Sequence, residues 1–148
     1  MDFVNARKEL AIDEGVRLKA YDDATGKELM PGDTLKGNLT IGTGHNLTAN
    51  GISESVNLLM LNEDIQNALD DCIKIFANWY KLPPSKQNIL LNMTFNMGSH
   101  AVSKFVNMIA AVNVLDFNKA ADEMLDSNWA RDPLTTHRAH KLATRMRG

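Results

Sequence analysis

One cysteine, Cys72, is present in 148 residues, so the chain can close no disulfide within itself. Its folding therefore does not depend on an oxidising compartment. No segment approaches the roughly 18 consecutive apolar residues of a membrane-spanning helix. The opening stretch carries Asp2, Arg7, Lys8 and Glu9 and lacks the apolar core of an export signal, so folding in a cytoplasm is expected. Repeats and low-complexity tracts are missing as well. His100, His137 and His140 share no ligand spacing with Cys72, which argues against a zinc site. Net charge is only −2, which excludes a polycation built for nucleic acid.

What is present is an apolar fraction of 44% and a charged fraction of 23%, with both signs interspersed. That composition belongs to an ordered domain, and at this length folding buries about 70% of the unfolded chain's surface. Charge is unevenly spread. Residues 131–148 hold Arg131, Arg138, Lys141, Arg145 and Arg147 against Asp132 alone. This balance of +4 leaves −6 for the first 130 residues.

Apolar spacing predicts a helix over residues 3–14, with Phe3, Ala6, Leu10 and Glu14 in one narrow arc and Gly15 as the stop. Glu14 should then face apolar neighbours in the last turn, near the negative end of the helix dipole. Both effects favour a neutral acid. Residues 16–46 are broken by Gly26, Gly32, Gly37, Gly42, Gly44 and Pro31. Short extended pieces around Leu18–Tyr21 and Leu39–Thr43 predict a small β-hairpin region. From the candidate cap Ser53, a stripe of Leu58, Leu61, Ile65, Leu69, Cys72 and Phe76 predicts a long helix ending before Pro83-Pro84. Further helices are predicted over Ser85–Met97, through Val102, Phe105, Val106 and Ile109, over Phe117–Leu125, and over Thr135–Met146. Trp79 and Trp129 are expected to pack in the core, as is Cys72. The expected fold class is α+β, mostly α.

Among polar groups, the acid at the end of the first helix is followed by an acidic pair, Asp22-Asp23, at a predicted strand or turn. Two carboxylates facing one cleft suit glycosidic cleavage, in which one donates a proton and the other stays ionised to direct water. By spacing alone this pattern is common, and a purely structural role for these acids remains open.

The surrounding residues add a resemblance. Ile12-Asp13-Glu14-Gly15-Val16-Arg17-Leu18-Lys19-Ala20-Tyr21-Asp22-Asp23 resembles the N-terminal catalytic motif of phage-type lysozymes, glycoside hydrolase family 24, which includes the T-even phage lysozyme and phage endolysins. Thr40-Ile41-Gly42-Thr43-Gly44-His45 resembles the motif's second part, and Asn92-Met93-Thr94-Phe95-Asn96-Met97-Gly98 a helix lining the cleft. Ser127-Asn128-Trp129 and Arg138-Ala139 resemble C-terminal helical segments.

The resemblance implies a lysozyme-like two-lobed fold in a single catalytic domain over residues 1–148. A β-containing lobe would span about residues 16–50. A helical lobe would span about 52–148 together with the N-terminal helix 3–14, with the cleft between the two lobes. It implies Glu14 as general acid, with Asp23 and Thr40 positioning the attacking water, and Asp22 as a bystander whose loss costs little. A threonine hydroxyl there can accept from the water while donating to the aspartate. An inverting pair predicts carboxyls about 6.5–9.5 Å apart. His45 would support the cleft, with a structural histidine bonded to a buried acid in the helical lobe as the alternative, and Phe95, Asn96 and Arg138 would contact substrate. Sixteen residues separate Asp23 from Thr40, more than the family usually has. The extra Lys27–Asn38 stretch is expected as a longer hairpin or loop, with Asp33 an outside candidate for a polar role.

The implied activity is hydrolysis of the β-1,4 bond between N-acetylmuramic acid and N-acetylglucosamine in peptidoglycan, with no cofactor and no metal. A phage or prophage endolysin would wait in the host cytoplasm and reach the wall through a holin-type lesion. Two rivals stand beside this reading. One is a lytic transglycosylase leaving anhydro-muramic ends. The other is a membrane-active protein working through the basic C-terminal helix. A weak contact of that helix with anionic outer-membrane surface is the partner expectation besides peptidoglycan, and a monomer is expected.

Overall fold

A computed structural model describes residues 1–148. The elements run α1 (Phe3–Glu14), β1 (Arg17–Asp22), β2 (Leu39–Gly42), β3 (His45–Asn46), α2 (Leu47–Asn50), α3 (Glu54–Ile75), a 3-10 turn (Trp79–Lys81), α4 (Pro84–Met97), α5 (Ser99–Val102), α6 (Val106–Asn113), α7 (Phe117–Leu125), α8 (Asn128–Arg131) and α9 (Thr136–Arg147). The protein is mostly helical with one small antiparallel sheet, as the α+β expectation requires. The chain divides into two compact units, Met1–Asn57 and Leu58–Gly148.

In the N-terminal unit, Asp2 starts α1 by accepting from the backbone N–H of Val4 and Asn5 at 3.0 and 3.1 Å, and Gly15 ends it in a left-handed conformation. The helix has no buried residue, and Phe3 and Leu10 are exposed. The apolar neighbours predicted for Glu14 are therefore not there: the side chain is exposed. The periodicity identified the helix correctly, but a narrow apolar arc does not by itself supply a partner surface.

The sheet order is β1-β2-β3, with Tyr21 opposite Thr40, Asp22 opposite Leu39 and Ile41 opposite His45. The long Asp23–Thr40 connection folds back on the other side of β1. Tyr21 bridges Glu28, the Asp22 N–H donates to the Lys27 carbonyl, and the Leu29 N–H donates to the Ala20 carbonyl. Arg17 lies 3.8 Å over the Tyr21 ring and donates to the Gly26 carbonyl. The insertion thus occupies the edge of β1 that would otherwise present unpaired backbone groups.

In the C-terminal unit the core is built from Cys72, Phe76, Trp79, Ile89, Leu90, Met93, Met108, Val112, Met124, Leu142 and Met146. Ser53 caps α3 as predicted, its hydroxyl accepting from the Val56 N–H. The apolar stripe of α3 is only half used: Leu58, Leu61 and Ile65 are exposed, and burial starts at Ala68. The helix predicted through Val102–Ile109 is instead two, α5 and α6. The Ser103 hydroxyl donates to the His100 carbonyl, and the N–H groups of Lys104 and Phe105 bond three residues back, which tightens and ends the turn.

The last helix, α9, buries Ala139, Leu142, Ala143 and Met146, so its apolar face belongs to the core. Of its charges, Arg147 pairs with Asp122, and upstream Arg131 pairs with Asp126 at 3.1 Å. Lys86 is 6% exposed and donates to the carbonyls of Arg145 and Met146, both at 2.9 Å. A cation there meets the negative end of α9. Lys86→Met is expected to lower stability by about 2 kcal/mol, the worth of a charge-assisted bond. Thermal unfolding should register this as a fall of roughly 4–8 °C. An unchanged midpoint would show that the carbonyls are equally satisfied by water.

Candidate active site

The residues predicted for chemistry in the N-terminal unit lie at the two ends of its sheet. Glu14, the last residue of α1, reaches the β2–β3 turn. A Cβ built on Gly44 would stand 3.2 Å from Glu14 Oε2, so a side chain at that position would press on the acid. Gly44 is also left-handed, with φ 68°.

Asp22, the last residue of β1, and Asp23, the first of the turn after it, have opposite fates. Asp22 is 2% exposed, and its carboxylate accepts from three backbone N–H groups: Ala24 at 2.9 Å, Lys36 at 2.7 Å and Gly37 at 3.0 Å. The Lys36 N–H is the largest influence holding its carboxyl below the ordinary carboxylate value. Burial opposes it, and the Ala24 and Gly37 N–H groups add to it. This carboxylate closes the insertion onto the strand, a structural role beyond that of a bystander.

Asp23 is exposed and bound at both oxygens by one residue. The Asn38 backbone N–H donates to Oδ1 at 2.6 Å, and Asn38 Nδ2 donates to Oδ2 at 2.9 Å. These two bonds, the backbone one foremost, lower its pKa below the usual carboxylate value. Each oxygen keeps a second lone pair for solvent. Asn38 can come this close because Gly37 precedes it. A Cβ on Gly37 would collide with Asp23 Oδ1 and approach the Ala24 Cβ to 2.6 Å.

Thr40 is 4% exposed, and its hydroxyl donates to the Asn38 carbonyl at 3.3 Å rather than to Asp23. Its lone pairs remain as acceptors. Asp33 is taken by the insertion's own structure, accepting from the Met30 N–H and pairing with Lys27 at 3.2 Å. His45 is exposed, and its Nε2 lies 2.6 Å from the Gly51 carbonyl. It closes the β3–α2 segment, a structural contact made to a backbone carbonyl rather than to a buried acid.

In the C-terminal unit, Phe95 is 45% exposed and lines two hollows between α3 and α4, one of them also bordered by Arg145 of α9. Asn96 is half-buried, with Oδ1 accepting from Trp129 Nε1 at 3.0 Å. Its acceptor is therefore committed to holding Trp129 in the core. Arg138 is exposed on α9.

The family model described as phage lysozyme matches residues 11–145. The chain belongs to the phage lysozyme family. It is also 25% identical over 149 residues to a protein described as probable T4-type lysozyme 2 of Dictyostelium discoideum, covering 81% of each chain. A phage lysozyme is a glycoside hydrolase, and peptidoglycan is the substrate that membership implies.

Sequence reading gave no site role to Gly37 or Asn38, and met Gly44 only as a chain break and as part of a motif. The signal for Gly37-Asn38 was faint, a glycine and an amide just before an extended run. Nothing local tells that the amide closes on a carboxylate fifteen residues earlier.

Proposed function

We propose that this member of the phage lysozyme family is an endolysin-type muramidase that hydrolyses the β-1,4 bond between N-acetylmuramic acid and N-acetylglucosamine. Glu14 donates a proton to the glycosidic oxygen as the bond to the anomeric carbon breaks. Water attacks that carbon from the opposite face of the sugar, and Asp23 takes the water's proton. Thr40 accepts the water's second hydrogen bond, since its own proton is engaged by the Asn38 carbonyl. The reaction ends with Glu14 ionised and Asp23 protonated, and exchange with solvent restores both. Inversion at the anomeric carbon follows, and it calls for a carboxyl separation of about 6.5–9.5 Å.

The observation that carries this reading is the Asp23 carboxylate: ionised, held at both oxygens, and open to solvent. A general base needs that state at working pH. Phe95 and Arg138 are proposed to contact the glycan, and Asn96 to support them through Trp129. His45 is proposed to steady the β2–β3 turn against which Glu14 lies. Release from a cytoplasm through a membrane lesion made by another protein is proposed for the route to the wall. The burial of the apolar face of α9 argues against killing by membrane insertion.

Mass spectrometry of digested peptidoglycan tests the reaction. Saccharides that have gained one water are expected at every cleaved bond. Products lighter by that water, with anhydro-muramic ends, would mean a lytic transglycosylase and would remove the water-directing role of Asp23.

A further inference from the structure

Asn38 contacts both groups to which the attacking water is assigned. Its backbone N–H and its Nδ2 donate to the two oxygens of Asp23, and its carbonyl accepts from the Asp23 N–H at 3.1 Å and from the Thr40 hydroxyl at 3.3 Å. Two donors on one residue, each on a different carboxylate oxygen, fix the rotation of that carboxylate about its last bond. A single donor would leave it free to turn. The carbonyl fixes the Thr40 hydroxyl rotor in the same way, aiming its hydrogen away from Asp23.

We propose that Asn38 is a positioning residue for hydrolysis: it sets the plane of the Asp23 carboxylate and the direction of the Thr40 hydroxyl, so that one water meets two preset acceptors. The inference rests on the muramidase reading above and deepens it. Asn38 itself touches no reacting atom. Its two remaining contributions follow from the same bonds. It spares the transition state the cost of orienting the base, and it keeps Asp23 ionised. Of the other charged groups of this region, Lys19 pairs with Glu28, and the Lys36 side chain carries no ion pair. Asp22 is closed by three backbone N–H groups, Lys27 and Asp33 pair with each other, and Glu14 lies against Gly44.

Asn38→Ala removes the Nδ2 donor and keeps the backbone one. On soluble peptidoglycan fragments its kcat is expected to fall roughly 10–100-fold with KM little changed, because a misplaced group costs rate rather than ground-state binding. Removing a donor from a carboxylate raises its pKa, so the acid limb of the pH profile should move to higher pH. Asn38→Asp keeps the shape but sets a second carboxylate against the first, and should move that limb further. Asn38→Ser restores a short donor and should recover part of kcat. If Asn38→Ala does not fold, the near-isosteric Asp variant carries the same test.

Parental kcat and an unmoved acid limb in the Ala and Asp variants, with Asp23→Asn inactive, would overturn the positioning role alone. Retained activity in Asp23→Asn would overturn the muramidase assignment, and the positioning role with it.

Discussion

Glu14→Gln is expected to abolish the clearing of purified peptidoglycan while leaving the protein folded. The substitution keeps the length and shape of the side chain and replaces a proton-donating carboxyl with an amide that gives up no proton to a leaving oxygen. Loss of a positioned general acid costs roughly 10²–10⁴-fold in rate. Because Glu14 is exposed at the end of α1 and bonds to no buried group, the thermal midpoint should match that of the parent. That separation of activity from stability makes the result diagnostic. Parental clearing by the folded variant would place the acid elsewhere. It would also reopen the reading in which the basic C-terminal helix acts on membranes.

The second large effect is expected at Asp22. Asp22→Ala strips the acceptor from the N–H groups of Ala24, Lys36 and Gly37. With it goes the attachment of the insertion to the end of β1, beside Asn38 and Asp23. Activity should fall roughly 10²-fold through displacement of the neighbouring carboxylate. Residues 24–37 should become sensitive to protease. Asp22→Asn, which keeps one acceptor oxygen, should lie between the two. Parental activity together with parental protease resistance would sink the idea that this carboxylate holds the loop.

Acid should act on the same structure. The carboxyls of Asp22, Asp23 and Asp33 all lie below their ordinary value in the folded protein, each chiefly because backbone N–H groups donate to the ionised form. Groups with lowered folded values contribute stability that is complete above the unfolded value near 4 and is lost as pH falls through the lower folded values. Protease sensitivity of the insertion should therefore rise below about pH 4 and be unchanged between pH 5 and 8.

The sequence by itself determined a good deal. Glycine and proline punctuation with helical periodicity placed α1, α4, α7 and α9 to within a residue or two, because those signals are local to each element. Four separated motifs in order pointed to the phage lysozyme family, which the match over residues 11–145 establishes. Where the prediction failed, a partner distant in sequence or a side chain turning back on the backbone decided the outcome. Ser103 ended α5 through its own hydroxyl. Glu14 was given apolar neighbours by the arc it shares with Phe3 and Leu10, yet α1 buries nothing.

The adjacent acids Asp22 and Asp23 mark the limit most sharply. As residues in a sequence they are nearly equivalent. In the fold one is buried under N–H groups contributed from residues 36 and 37, and the other faces solvent in the grip of Asn38. A carboxylate's role is set by which donors reach it and how much water remains. The donors that decide here are brought back by fourteen or fifteen residues of loop. The resemblance had already favoured Asp23 over Asp22 for chemistry; only the tertiary structure could assign Asp22 to holding the fold.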